Sequence, residues 1–178
     1  MVDVAGHLGM ALVWLAGAWV VVDDARTAAA FVAVGVLFGM LPDVDLYLRD
    51  VLPTVKHHGA LHTVLAVVAF AVVLAPVVGV ALRALDARVD APVLPDAVRD
   101  DANQFAGVAV LVAGLAHVFA DTLSAPDTAE ALEPFWPLYA HPLGIDVVYY
   151  DAPLVNYGLL AAGVALNVAL WTWRRRGA

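Results

Sequence analysis

The 178-residue chain is 63% apolar, with a mean hydropathy of +0.84 and only 15% charged residues. A soluble domain of this size runs near about 45–50% apolar, so the excess points to lipid as solvent. The formal charge of −8, from 15 Asp and 2 Glu against 8 Arg and 1 Lys, excludes a nucleic-acid-binding surface, and the absence of Cys excludes disulfides and thiolate metal sites.

Five apolar segments follow one another: about His7 to Val22, Thr27 to Leu41, His58 to Leu82, Phe105 to Ala120 and Pro153 to Trp173. A helix needs about 20 residues to cross the hydrocarbon core. The third and fifth segments reach that length, and the others fall short, which predicts a thinned or protein-lined region at their ends. Because lipid leaves no backbone group unpaired, each segment is predicted to be a helix. Gly35, Gly39, Gly107, Gly114, Gly158 and Gly163 are expected to let helices pack closely, Pro76 to kink the third helix, and Asn167 to hydrogen-bond a neighbouring helix.

The connections differ in character. Asp23 to Arg26 predicts a tight turn, and residues 83–104 form a polar loop rich in Asp and Arg. Residues 122–152 are acidic and aromatic, with Pro126, Pro134, Pro137 and Pro142 breaking any continuous helix. Neither internal repeats nor low-complexity segments are evident. The expected fold is an all-α, polytopic membrane bundle of about five transmembrane helices, a single integral-membrane domain over 1–178 in a multi-pass cell-membrane protein.

Lys and Arg favour the cytoplasmic side of a membrane. With the N-terminus outside and five crossings, the inside loops carry Arg26, Arg83, Arg88, Arg99 and Arg174 to Arg176, against Arg49 and Lys56 outside: 7 of the 9 basic residues. The expected orientation is therefore N-terminus outside and C-terminus inside, with 83–104 cytoplasmic and 122–152 external. A cleavable signal peptide is not expected, since the first apolar segment lacks a basic flank and ends in Asp23-Asp24. The Asp-rich, Lys-poor composition resembles that of salt-loving archaea.

On that topology the titratable residues gather. His7 opens the first helix. Asp43 and Asp45 follow the second, His57, His58 and His62 open the third, and His117 and Asp121 close the fourth. All fall on the outer face, although the charge count made no use of them. His117 and Asp121 are i,i+4 and share a helix face, as do His58 and His62 if the helix already includes His58. Asp43 and Asp45 would diverge on an extended segment but converge in a turn. Ionisable groups at a membrane are costly and usually functional. Imidazole with carboxylate suits Zn²⁺ first, then Mn²⁺ or Fe²⁺, and the number of donors allows one ion or two. The expected metal set is His7, Asp43, Asp45, His62, His117 and Asp121, with His57 and His58 as catalytic candidates and no organic cofactor. His141 is expected to be a loop residue, and Phe135, Trp136, Tyr139, Tyr149 and Tyr150 an interfacial aromatic belt.

The order of these blocks resembles that of the YdjM-like family of membrane-bound, metal-dependent hydrolases, described in bacteria as LexA-regulated inner-membrane hydrolases. Gly6-His7-Leu8 matches the family's Gly-His-Leu, Leu41 to Asp45 its Leu-Pro-Asp-x-Asp, and His57 to Thr63 in part its His-Arg-Gly-x-Thr-His-Ser. His117, Asp121 and the segment Pro134 to Pro137 match its His-x-x-x-Asp and proline-aromatic stretch. Leu46, His58 and Leu61 depart from the family's His, Arg and Thr. More distantly the pattern is similar to helical zinc-dependent phospholipases C. The resemblance implies a metal-dependent hydrolase acting on a small-molecule or lipid-like substrate such as a phosphoester, in the lipid bilayer. From a different class, a metal or proton transporter, or a metal-binding membrane protein, is the alternative; helix centres free of ionisable groups disfavour transport. A structural scaffold is the third reading.

Overall fold

Helices begin where short polar side chains can satisfy the first free N–H groups. Asp3 accepts from the Gly6 amide at 2.9 Å and starts α1, Val4–Leu15. A short break leads into α2, Ala18–Val21. Asp24 accepts from the amide and hydroxyl of Thr27, each at 2.7 Å, and starts α3, Ala25–Val36. Consecutive turns carry the chain through a 3-10 turn, Pro42–Val44, into α4, Asp45–Leu48. After a second 3-10 turn, Ala60–His62, Thr63 caps α5, Val64–Asp86, by accepting from the Ala66 amide at 3.1 Å. The short α6, Asp96–Asp100, precedes α7, Ala102–Leu123, and α8 spans Pro153–Gly177. This computed structural model describes residues 3–88, 94–124, 131–145, 147–149 and 151–177; Pro126 and Tyr150 lie outside them. Among the described residues there is no strand, only an isolated bridge between Ser124 and Val148.

Among the described residues, four helical stretches are long and apolar enough to cross a membrane: Val4–Val21, Val64–Asp86, Ala102–Leu123 and Pro153–Arg176. The remaining apolar segment forms the 12-residue α3. At about 1.5 Å per residue it is about 18 Å long, short of the ~30 Å hydrocarbon core. The fourth segment lengthens to 22 residues in α7, and α5 runs on through Pro76.

α7 is the axis. Its buried alanines, Ala102, Ala106, Ala109, Ala113, Ala116 and Ala120, recur at alternating steps of four and three, which gives one helix face a seam without bulk. Against it pack α5, α1 and α3. α8 packs mainly on α1, where the two backbones nearly touch: a Cβ at Gly163 would lie 2.8 Å from the Gly9 carbonyl oxygen. Gly158, by contrast, faces open space, so its expected packing role is absent. Asn167 joins the same pair, donating to the Leu12 carbonyl at 3.0 Å and accepting from the Trp19 indole at 2.8 Å. The lipid-exposed surfaces of α5 and α8 carry the large apolar side chains (Val72, Val73, Val77 and Val80; Leu154, Val168 and Trp173) that a soluble bundle would hide.

Connectivity puts the start of α1, the end of α3, the start of α5 and the end of α7 at one end of the bundle. The other end collects arginines: Arg99 pairs with Asp86 at 2.8 Å, Arg83 donates to Asn103 at 3.0 Å, and Arg174 donates to the Val22 carbonyl.

A candidate metal centre at one end of the bundle

The local folding of three segments decides the site. Pro42 opens a 3-10 turn, so Asp43 and Asp45 converge as a turn allows. Thr63 delays α5 until Val64, so the anticipated helical pairing of His58 with His62 does not form; His62 closes a 3-10 turn instead. His58 has a φ of +60°, a left-handed conformation uncommon for a residue with a side chain. His117 and Asp121 share the inner face of α7 as expected, and His7 reaches them from the first turns of α1.

Four atoms from three segments meet: Nε2 of His62, Oδ1 of Asp43, and, both from α7, Nε2 of His117 and an oxygen of Asp121. His62 Nε2 lies 3.2 Å from Asp43 Oδ1 and 3.5 Å from Asp121 Oδ2. His117 Nε2 lies 3.4 Å from Asp43 Oδ1, 3.3 Å from Asp121 Oδ2 and 3.3 Å from His62 Nε2. These are five of the six edges of a tetrahedron. A tetrahedron with corners about 2.0–2.1 Å from its centre, as for zinc bound by N and O, has edges of about 3.3–3.4 Å. The two sets agree.

Backbone carbonyls fix which face of the His117 and His7 rings turns inward. His117 Nδ1 donates to the Gly39 carbonyl at 2.8 Å and His7 Nδ1 to the Asp3 carbonyl at 3.0 Å, since a carbonyl only accepts. In their neutral forms both rings therefore direct the Nε2 lone pair into the cluster. His62 Nδ1 stands 3.0 Å from Asp45 Oδ2, while Asp45 Oδ1 pairs with His57 Nδ1 at 2.9 Å. A carboxylate or carbonyl behind each ligating imidazole is the usual arrangement around a protein-bound metal. His7 Nε2 sits 3.1 Å from Asp121 Oδ1, with its ring 3.7 Å from that of His117.

Charge gives the second reason for a cation. Asp43, Asp45 and Asp121 are buried among His7, His62 and His117, all fully buried, and no Lys or Arg pairs with these carboxylates among the described residues. Asp121 Oδ2 is buried without a hydrogen-bond partner. Burial would raise the Asp43 carboxyl, but hydrogen bonds from His117 and His62 hold it well below the usual carboxylate range. Burial likewise opposes, and His57 and His62 outweigh it, in bringing Asp45 down to about 2. For His62 burial disfavours the charged ring, yet Asp43 and Asp45 raise its pKa above the ordinary value. Buried ions are paired or hold a metal. The donor set fits a tetrahedral divalent ion.

The sequence model of the YdjM inner membrane protein family matches residues 1–178, the whole chain. The chain belongs to the YdjM family. Neither a curated protein nor a solved structure gives a significant match. As a YdjM member with several membrane-spanning helices, it is a multi-pass protein of the cell membrane.

In this YdjM chain, all six residues expected as metal ligands come together, in two layers. Asp43, His62, His117 and Asp121 supply the four close-set donor atoms. Asp45 stands behind His62, and His7 beside the outer oxygen of Asp121. His57 and His58 border this group, their rings 5.2 and 5.0 Å from that of His62. His141 is an exposed loop residue stacked on Tyr139, and Phe135, Trp136, Tyr139 and Tyr149 are exposed. Sequence reasoning missed the Gly39 and Asp3 carbonyls, because every residue carries a carbonyl and only the ended helix exposes one. It also missed a cavity of about 460 Å³ beside His58, lined by Lys56, Thr63, Glu133 and Trp136 among others.

Proposed function

We propose that the chain is a membrane-bound, metal-dependent hydrolase, with one divalent ion, zinc foremost, held by Asp43, His62, His117 and Asp121. The agreement between five interatomic distances and the edges of a zinc tetrahedron carries the reading. Such an ion supplies Lewis acidity, polarising a scissile bond and lowering the pKa of water at the site. The chain's own groups do the rest. Asp45 orients His62, the Gly39 carbonyl orients His117, and His7 steadies Asp121. The Asp45–His57 pair leaves Nε2 as the basic nitrogen of His57, suited to take a proton from attacking water and return it to the leaving group. His58, at the lip of the cavity, contacts the substrate.

The basic-residue count, taken with five crossings, supports an outward-facing site near the headgroups. A phosphoester, soluble or carried by an amphiphile, is the substrate class that suits a hard-donor metal site there. The test is hydrolysis of phosphomonoesters and phosphodiesters by detergent-purified protein supplied with Zn²⁺ or Mn²⁺. Activity should vanish on chelation, return with metal, and be lost in His117→Ala and Asp121→Asn together with stoichiometric metal. Activity that survives in both variants sinks the proposal; stoichiometric metal without turnover of any ester would leave a metal-binding membrane protein.

A further inference from the structure

The cavity next to the cluster has two chemically different walls. One is the turn before α5, contributing Lys56, His58, Gly59, Ala60 and Thr63; the other is the loop after α7, contributing Ala131, Glu133 and Trp136. The loop is tied down over the turn, since the Val64 amide donates to the Pro134 carbonyl at 2.8 Å and the Leu143 amide to the Leu132 carbonyl at 2.9 Å. A volume of about 460 Å³ lies within the range of small-molecule sites, about 300–1,000 Å³.

The turn wall is strained where it meets the metal cluster. The Gly59 amide donates back to the Lys56 carbonyl at 3.1 Å, with His58 at the preceding position in the left-handed region at φ +60°. Glycine or asparagine normally fills such a position. The glycine comes one residue later instead, where a Cβ would lie 2.7 Å from the Lys56 carbonyl oxygen. A left-handed residue with a side chain costs about 1–3 kcal/mol and tends to occur where function needs it. Here the cost places the His58 imidazole on the cavity lining, 5.0 Å from the ring of His62.

We infer that this cavity binds a phosphorylated amine: the phosphate lies along Lys56 and His58 towards the metal cluster, and the ammonium group lies against Glu133 and Trp136. The inference rests on the hydrolase reading and names its substrate class. An ammonium and an imidazole N–H are charge-assisted and neutral donors to phosphate oxygens. A carboxylate and an indole on one wall of a cavity favour a cation, through charge and the ring quadrupole. A plain anion uses only the first wall and meets Glu133 as a repulsion. The same chemistry arises in a free phosphoamine and in a zwitterionic lipid headgroup, and Trp136 and the exposed Phe135 and Leu138 beside the opening put both within reach.

Equilibrium dialysis of full-length, zinc-loaded protein against phosphoethanolamine and against inorganic phosphate tests it. Phosphoethanolamine should bind about tenfold or more tightly than phosphate. Lys56→Met should weaken both by about tenfold, Lys56→Arg should restore them, and Glu133→Gln should erase the preference without weakening phosphate. Zinc content should stay unchanged in all three. His58→Gly should raise the melting temperature while weakening both ligands. Competition by phosphatidylethanolamine vesicles, absent with phosphatidylglycerol vesicles, would assign the lipid source, and its failure the soluble one. Equal affinity for the two small ligands, no saturable binding of either, or a preference that survives Glu133→Gln overturns the inference. If phosphoethanolamine binding follows Lys56 and Glu133 in a protein that neither retains zinc nor hydrolyses esters, the enzyme reading fails and this subsite stands.

Discussion

The two ends of the bundle bury aspartates in opposite ways. At the arginine end, Asp86 accepts from the Leu94 amide at 2.8 Å and from Arg99 Nε at 2.8 Å, so its charge is balanced by a residue of the chain itself. At the other end, the ion-pair partners of Asp43, Asp45 and Asp121 among the described residues are imidazoles, whose rings carry charge or not according to pH. Both clusters are polar caps on apolar helices. Among the described residues, the second lacks a Lys or Arg partner, and there donor atoms from α7 and two 3-10 turns converge at 3.2–3.5 Å. The arginine-end pair closes on itself; the imidazole end presents a donor set that a cation would complete.

Removing one carboxylate charge at each end should therefore have different consequences. Asp45→Asn keeps the shape behind His62 but weakens its grip on the ring, and metal affinity should fall about 10–100-fold, as for other partners of metal-ligating histidines. Metal titration of the purified variant measures this, and unchanged affinity would remove Asp45 from the centre. Asp86→Asn should leave metal binding untouched and lower unfolding stability by about 1–2 kcal/mol, a value held down because Arg99 is 35% exposed. Denaturation in detergent checks it.

The smallest effect is a pH dependence confined to the imidazole end. The pKa of His62 is raised by its aspartates, so in metal-free protein its pairing is complete below the ordinary value of 6.5 and is lost as pH rises through the raised value. Metal-free protein should lose thermal stability on going from pH 6 to pH 9, and His62→Gln should flatten that slope. The Asp86 end contributes nothing to it, since a guanidinium stays charged throughout that range. Metal-loaded protein should run the other way, because imidazoles must be deprotonated to bind an ion.

Much of this was legible in the residues. Length and apolarity decided lipid as solvent and helix as the secondary structure, since no other open backbone is satisfied in hydrocarbon. The i,i+4 spacing of His117 and Asp121 put them on one face, and the alternation of crossings sent six candidate ligands to one end. What sequence could not decide was anything that depends on where a helix stops. α3 ends at Val36 and frees the Gly39 carbonyl to orient His117; Thr63 withholds His58 from α5 and turns it into a cavity. The division into close-set donors and the residues behind them is likewise tertiary, because it depends on which oxygen of each aspartate points inward. Periodicity and solvent preference are local and additive along a chain, so sequence carries them; a converged cluster of donors is a set of distances among three segments, and only packing sets those.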